Sequence, residues 1–166
     1  LKKDFALGID AAASEFYDAE KEIYRFAADR KNYKPASVYK LYEKWIAEFE
    51  LRIIEDGCAE ADFLGWQKMT AALGGHTTLV GDDLFVTNTQ RIEGGIIAGV
   101  ANAVLIKPNQ IGTLTETIAA IKLAQKYGYE VVISHRSGET LDDFIADLAV
   151  ACGADYIKAG SLSRGE

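Results

Sequence analysis

The chain has 166 residues, 49% of them apolar and 26% charged, which is enough for one soluble domain with a real core. The net charge is −7 and the Lys and Arg residues form no cluster, which argues against a nucleic-acid partner. No apolar run is long enough to span a membrane, and the first residues, LKKD at 1–4, have no apolar core after their lysines and so do not resemble a signal peptide. The two cysteines lack metal-type spacing and indicate reduced thiols in a cytoplasmic protein.

Six short apolar runs recur along the chain, and each ends in a polar or charged residue. The runs are rich in Ile, Val and Leu without polar alternation, which is typical of parallel strands buried on both faces. In chain order, the predicted strands are 5–9, 51–54, 78–81, 103–106, 131–133 and 155–157.

Helical patterns occupy the intervals between these strands. A small hairpin is predicted over 17–24, and Ser37 is the predicted N-cap of the helix that follows it. Thr113 and Glu116 have the spacing of a capping box at the start of a later helix. The apolar spacing over 141–148 predicts the last helix of the chain.

The later strand ends follow one another at nearly constant spacing, which indicates βα units of one kind. Such units form either a doubly wound sheet or a (β/α)8 barrel, and the constant spacing favours the barrel. We therefore predict an α/β fold, a partial TIM-type (β/α)8 barrel of about six parallel strands with intervening helices. A complete barrel has eight strands, so we expect a piece of a larger protein. Its open sheet edges would pair with another copy, or be partly disordered over 1–4 and 160–166.

The residues at the strand ends are candidates for a functional site, because barrels build their active sites there. In chain order they are Asp10, Glu55, Asp82, Lys107, His135, Arg136, Ser137 and Lys158. Carboxylates on three neighbouring strands suit a hard cation such as Mg²⁺, and the basic groups suit a phosphate or carboxylate substrate. A lysine beside a divalent cation loses its proton more readily and can act as a base. A single such carboxylate is more often a helix N-cap or a solvated loop residue than a metal ligand, and the neighbouring Asp56 and Asp83 leave the register open.

Six segments, in order along the whole chain, resemble the motifs of the enolase family. They are IDAAASEFY at 9–17, IEDG at 54–57, VGDDLFVTN at 80–88, LIKPNQIGT at 105–113, SHRSGET at 134–140, and IKAG at 157–160 with SRGE at 163–166. The resemblance implies a lyase of glycolysis that interconverts 2-phosphoglycerate and phosphoenolpyruvate with Mg²⁺. It implies Mg²⁺ ligands at Asp10, Glu55 and Asp82, a base at Lys107, and substrate-binding groups at His135, Arg136, Ser137 and Lys158.

The resemblance also implies what this chain lacks. Residues 1–166 would be an enolase C-terminal catalytic barrel domain without its first strands and its final helix. The first strands carry the general acid in this family, so we expect the isolated chain to be inactive. The family implies a small-molecule substrate, a homo-oligomer in the full-length form, and a cytoplasmic location, with some members at the cell surface.

Two other interpretations remain open at the level of sequence. The first is a non-catalytic interaction module derived from an enolase. The second is a different member of the superfamily, such as a sugar-acid dehydratase or a racemase. Arg136 and Ser137 suit a phosphate group and favour an enolase over the second interpretation.

Overall fold

A computed structural model describes residues 4–161, and the chain divides into two compact units. Unit 1 comprises Leu1–Leu84 and Ala98–Asn102, and unit 2 comprises Phe85–Ile97 and Ala103–Glu166. The described elements up to residue 81 are β1 (Leu7–Asp10), a 3-10 turn (Ala13–Phe16), β2 (Tyr17–Asp18), β3 (Ile23–Phe26), β4 (Lys31–Tyr33), α1 (Pro35–Phe49), β5 (Leu51–Glu55), α2 (Phe63–Leu73) and β6 (Thr78–Gly81). The later elements are α3 (Thr89–Ala98), β7 (Ala103–Ile106), α4 (Pro108–Ile111), α5 (Leu114–Lys126), β8 (Glu130–Ser134), α6 (Phe144–Cys152) and β9 (Tyr156–Lys158).

The parallel strands of unit 1 pair in chain order. β1 lies beside β5, and β5 lies beside β6, both in parallel register. Ile54 and Leu79 are partners on β5 and β6, and both are fully buried. The uninterrupted apolar runs predicted parallel strands with buried, branched apolar side chains, and this pair of strands confirms the prediction.

The connection between β1 and α1 is a small antiparallel sheet. β2 pairs with β3 as the predicted hairpin, and β4 adds a third strand. Aromatic rings hold this sheet together, with the Tyr17 and Tyr24 centroids 4.7 Å apart.

The predicted N-cap at Ser37 is wrong. Helix α1 begins at Pro35, and Lys34 occupies the N-cap position without a side-chain cap. Proline is suited to the first helical turn, because its φ is already helical and it needs no partner for an N–H. Ser37 therefore lies inside the helix, where its hydroxyl donates to the Lys34 carbonyl at 2.9 Å.

The segment 98–102 completes unit 1 from a distant part of the chain. The Ala101 N–H donates to the Thr70 hydroxyl at 2.8 Å. The Asn102 side chain accepts from the Leu79 N–H at 2.6 Å and donates to the Thr77 carbonyl at 3.0 Å. These bonds tie the end of α2 and the start of β6 to residues that come after α3.

The strands of unit 2 also pair in parallel and in chain order, β7 with β8 and β8 with β9. All four residues of β7 are fully buried. The predicted capping box of α5 is confirmed, since Thr113 Oγ1 accepts from the Glu116 N–H at 3.2 Å and donates to its carboxylate at 2.6 Å. The last helix starts later than predicted, at Phe144, because the Asp142 carboxylate accepts from the Phe144 N–H and forms a turn there.

The predicted fold class is confirmed. Both units contain parallel strands joined through helices, unit 1 with the small antiparallel sheet in addition, and all six predicted strands are present in a partial TIM-type α/β barrel. Residues 1–3 and 162–166, which include the SRGE motif and much of the predicted disorder, lie outside the described residues. Between residues 4 and 161, no helix combines the length and apolar character needed to cross a membrane.

Candidate functional site

Three carboxylates end the parallel strands of unit 1. Asp10 is the last residue of β1 and is the register partner of Glu55, the last residue of β5. Asp82 directly follows Gly81, the last residue of β6. Glu55 and Asp82 are only 6% and 8% exposed, whereas Asp10 is exposed. The three predicted metal ligands thus stand at the carboxyl ends of three adjacent strands.

The tightest acidic cluster in residues 4–161 has different members from the predicted set. Asp56, Asp82 and Asp83 each offer a carboxylate oxygen within 4.8 Å of the others. Asp82 belongs to both sets, while Asp56 and Asp83 were not predicted as ligands. The side chains of consecutive residues in a strand normally point to opposite faces of the sheet. At Asp56 the chain leaves β5 with a positive φ of 43°, which turns its side chain toward the end of β6.

Asp56 organises the start of the segment that follows β6. Its Oδ1 accepts from the Asp82 N–H at 2.9 Å, and its Oδ2 accepts from the Asp83 N–H at 3.0 Å. Burial, together with the nearby charges of Asp82 and Asp83, raises the pKa of Asp56 to about 7, although its two N–H bonds act in the opposite direction. The electrostatic environment therefore disfavours a third negative charge at this position, and a proton or a cation relieves it.

A buried polar network fixes the segment that follows Glu55 and Asp56. The Tyr24 hydroxyl donates to Asp62 Oδ2 at 2.5 Å and accepts from the Ala59 N–H at 2.9 Å. The other Asp62 oxygen caps α2 by accepting from the Gly65 N–H at 2.8 Å. Residues 56–62 are thereby held between the small antiparallel sheet and the start of α2.

Basic side chains end the parallel strands of unit 2. Lys107 directly follows β7, Arg136 lies two residues beyond β8, and Lys158 is the last residue of β9. The ends of β8 and β9 are register partners at Ser134 and Lys158. Parallel strands place their carboxyl ends on the same side of a sheet, so these three basic residues lie along the carboxyl ends of the unit 2 strands. This row of carboxyl ends is called the basic edge.

Hydrogen bonds orient the residues around this basic edge. The His135 N–H donates to the Lys158 carbonyl at 3.0 Å, and its Nδ1 accepts from the Gly160 N–H at 3.3 Å. In a neutral imidazole the proton then resides on Nε2. The Arg136 guanidinium donates to Asn109 Oδ1 at 3.2 Å, which links the end of β8 to the segment after Lys107.

The remaining predicted substrate-binding residue, Ser137, is exposed in the turn between β8 and α6. The backbone N–H of Arg136 donates to the Glu139 carboxylate across this turn. Sequence analysis did not identify Asn109 or Glu139 as functional residues. Asn109 was visible only as a letter of a motif, and no spacing rule predicts its contact with Arg136.

The donor set of unit 1 fits a hard divalent cation. It consists of carboxylate oxygens, which Mg²⁺ prefers, and contains neither sulfur nor imidazole. The basic edge of unit 2 offers the complementary chemistry, since guanidinium and ammonium groups bind phosphate and carboxylate oxygens.

Parallel βα units with acidic and basic side chains at the carboxyl ends of their strands define a TIM-type barrel domain. Over residues 1–166 the chain matches the family model described as the enolase C-terminal TIM barrel domain, and it belongs to that family. The resemblance carried by the six motifs is thus confirmed. At the level of the family, the chain is an enolase-type lyase, and enolases generally use Mg²⁺.

Proposed function

We propose that this chain carries the metal-binding and proton-abstracting part of a phosphopyruvate hydratase, which reversibly dehydrates 2-phosphoglycerate to phosphoenolpyruvate in glycolysis. The observation that carries the proposal is the order of groups along the strand ends. Carboxylates end β1 and β5 and follow β6 in unit 1, and basic groups follow β7 and β8 and end β9 in unit 2. The family match over the whole chain supports the same assignment.

The first half of the proposal concerns the metal. Asp10, Glu55 and Asp82 hold Mg²⁺, and Asp56 keeps the backbone at Asp82 in place through its two N–H bonds. Mg²⁺ held by these carboxylates would supply positive charge that stabilises the substrate carboxylate when the proton on C2 is removed. The arrangement follows from elementary chemistry, because removing that proton adds negative charge beside an existing anion.

The second half concerns the basic edge of unit 2. Lys107 Nζ removes the proton from C2, and Arg136 and Ser137 hold the phosphate of the substrate. Lys158 pairs with the substrate carboxylate, and His135 also binds the substrate. Asn109 supports this arrangement, since it accepts from the Arg136 guanidinium and limits the orientations of that side chain.

The remaining attributes belong to the same proposal. The partner is a small anionic substrate, the full-length protein forms a homo-oligomer, and neither nucleic acid nor a membrane is a ligand. The net charge of −7 supports the exclusion of nucleic acid. The free thiols of Cys58 and Cys152 support a reducing cytoplasmic location.

Calorimetric titration with Mg²⁺ tests the metal half directly. We expect saturable binding by the chain and its loss in Asp82→Asn, because the variant replaces an anionic ligand oxygen with a neutral amide. Asp29→Asn is the matched control, since Asp29 is exposed in a turn before β4. Equal Mg²⁺ binding by Asp82→Asn and by the wild-type chain would contradict the metal assignment.

Exchange of the C2 hydrogen of 2-phosphoglycerate with deuterated water tests the base. This half-reaction needs the base and the metal but not the acid that expels the hydroxyl, so NMR can follow it separately from dehydration. We expect exchange by the wild-type chain, its loss in Lys107→Ala, and its retention in Lys122→Ala, whose side chain is exposed on α5. Exchange that survives in Lys107→Ala, or that is faster with unphosphorylated glycerate, would overturn the proposal.

A further inference from the structure

A buried threonine hydroxyl contacts the backbone of the proposed base. Thr87 is fully buried, and its Oγ1 accepts from the Lys107 N–H at 2.9 Å. The same hydroxyl donates its hydrogen to Gln110 Oε1 at 3.0 Å, in helix α4. Because the hydrogen is directed at Gln110, a lone pair of the oxygen faces Lys107.

The backbone around Thr87 adopts a conformation that its residue type disfavours. Val86 and Thr87 have φ values of 44° and 58°, in the left-handed region where β-branched residues are genuine outliers. The next residue, Asn88, anchors the segment, since its side chain accepts from the N–H groups of Gln90 and Arg91 at the start of α3. Asn88 thus anchors the strained pair of Val86 and Thr87, and the conformation of this pair places the Thr87 hydroxyl against the Lys107 N–H.

The residues on either side of Lys107 restrict its backbone, and the backbone in turn sets the direction of its side chain. Ile106 before it is fully buried and pairs with Ile133, and Pro108 after it restricts Lys107 to an extended conformation, observed at φ −120° and ψ 101°. The N–H of Lys107 points out of this rigid frame into the Thr87 hydroxyl. A hydrogen bond at that atom limits the rotation of the Lys107 peptide and so the direction in which its side chain leaves the chain.

We propose that Thr87 is a positioning residue that aims Lys107 at the carbon-bound hydrogen of the substrate, with Gln110 orienting the Thr87 hydroxyl. This inference rests on the role proposed for Lys107 as the base. Thr87 has no substrate contact in the proposed site, so its loss changes the rate of proton transfer and leaves the affinity for substrate largely unchanged.

The decisive comparison is Thr87→Val with Thr87→Ser. Valine keeps the shape and the β-branching but removes the acceptor of the Lys107 N–H, whereas serine keeps the hydroxyl. We expect the maximal rate of C2 hydrogen exchange to fall about tenfold to a hundredfold in Thr87→Val, with the KM little changed, and to recover in Thr87→Ser. Thr117→Val is the matched control, since Thr117 is also fully buried in unit 2 and its hydroxyl donates to a backbone carbonyl of Thr113.

A second measurement separates this inference from the proposed function. Labelling of the Lys107 amine by acetic anhydride, relative to Lys122 in the same sample, reports on the environment of Lys107 without any turnover. We expect this ratio to change in Thr87→Val and to return toward the wild-type value in Thr87→Ser. If the wild-type chain exchanges no hydrogen, the function of Lys107 as a base is wrong, yet the labelling ratio still decides whether Thr87 positions that amine.

Two results would overturn the inference. The first is a Thr87→Val chain that folds and keeps both the wild-type labelling ratio and the wild-type exchange rate. The second is an equal fall of exchange in Thr87→Val and Thr117→Val, which would indicate a general loss of stability. If Thr87→Val does not fold, Gln110→Ala replaces it, because that change leaves the hydroxyl in place and removes only its orienting acceptor. An unchanged ratio in Gln110→Ala would then count against the inference.

Discussion

The polar network around Tyr24 gives a prediction of stability that can be worked out from the structure. Tyr24→Phe removes one hydroxyl that makes two buried hydrogen bonds, to the Asp62 carboxylate and from the Ala59 N–H. The bond to a carboxylate contributes about 1.5–3 kcal/mol, and a buried N–H left without a partner costs about 1–3 kcal/mol. We therefore expect the free energy of unfolding to fall by roughly 3 kcal/mol.

Tyr42→Phe is the matched control for this change. Tyr42 is equally buried, but within residues 4–161 its hydroxyl has no hydrogen-bond partner. Replacing it therefore removes no bond, and we expect stability to change by less than about 0.5 kcal/mol or to rise slightly. Urea unfolding followed by tryptophan fluorescence is the assay, because both tryptophans of the chain, Trp45 and Trp66, belong to unit 1. The reasoning is refuted if Tyr24→Phe loses no more stability than Tyr42→Phe.

Three further predictions concern pH, thiol reactivity and packing. The pKa of Asp56 lies at about 7 instead of its usual 3.8, so its proton stabilises the folded state at low pH. In the absence of Mg²⁺, protonation of Asp56 should add about 4 kcal/mol to the free energy of unfolding below about pH 4. This contribution should be lost as the pH rises through 7. In Asp56→Asn, the free energy of unfolding measured in urea should depend less on pH. Burial raises the pKa of the Cys58 thiol well above its usual range, so mass spectrometry should find Cys152 alkylated much faster at neutral pH; equal rates would contradict this. A Cβ at Gly65 would collide with the carboxylate that caps α2, so Gly65→Ala should cost about 1–3 kcal/mol in urea unfolding, whereas Gly75→Ala, with open space around it, should not.

The strands were predictable from sequence because their physical cause is local. The runs 78–81 and 103–106 match β6 and β7 to the residue, since buried apolar runs bounded by polar residues have few alternatives in a parallel sheet. The start of α1 was not predictable from Ser37, because Pro35 suits the first helical position without any capping side chain. Two plausible start signals two residues apart are resolved only by the backbone that precedes them.

The candidate site was predictable only in part, for reasons of direction. Motif positions identify Asp82 and Lys107 as strand-end residues, which a barrel places at its functional edge. They do not reveal that Asp56 turns back toward Asp82, because that depends on a positive φ which no residue pattern encodes. Thr87 was missed for the same reason, since a threonine within V-T-N has no spacing that links it to a residue on another strand.

Unit 1 is discontinuous in the chain, because residues 98–102 belong to it while residues 85–97 do not. During synthesis, the chain must therefore emerge from the ribosome through α3 and as far as Asn102 before the turn between α2 and β6 can form its last hydrogen bonds. Truncation at residue 84 would keep all five clustered or predicted carboxylates but leave the Thr70 hydroxyl and the Leu79 N–H without their Ala101 and Asn102 partners. A protease that nicks the chain between 85 and 97 would instead leave those bonds in place. Dissection of the metal half should accordingly proceed by nicking and fragment complementation, not by shortening the chain from its carboxyl end.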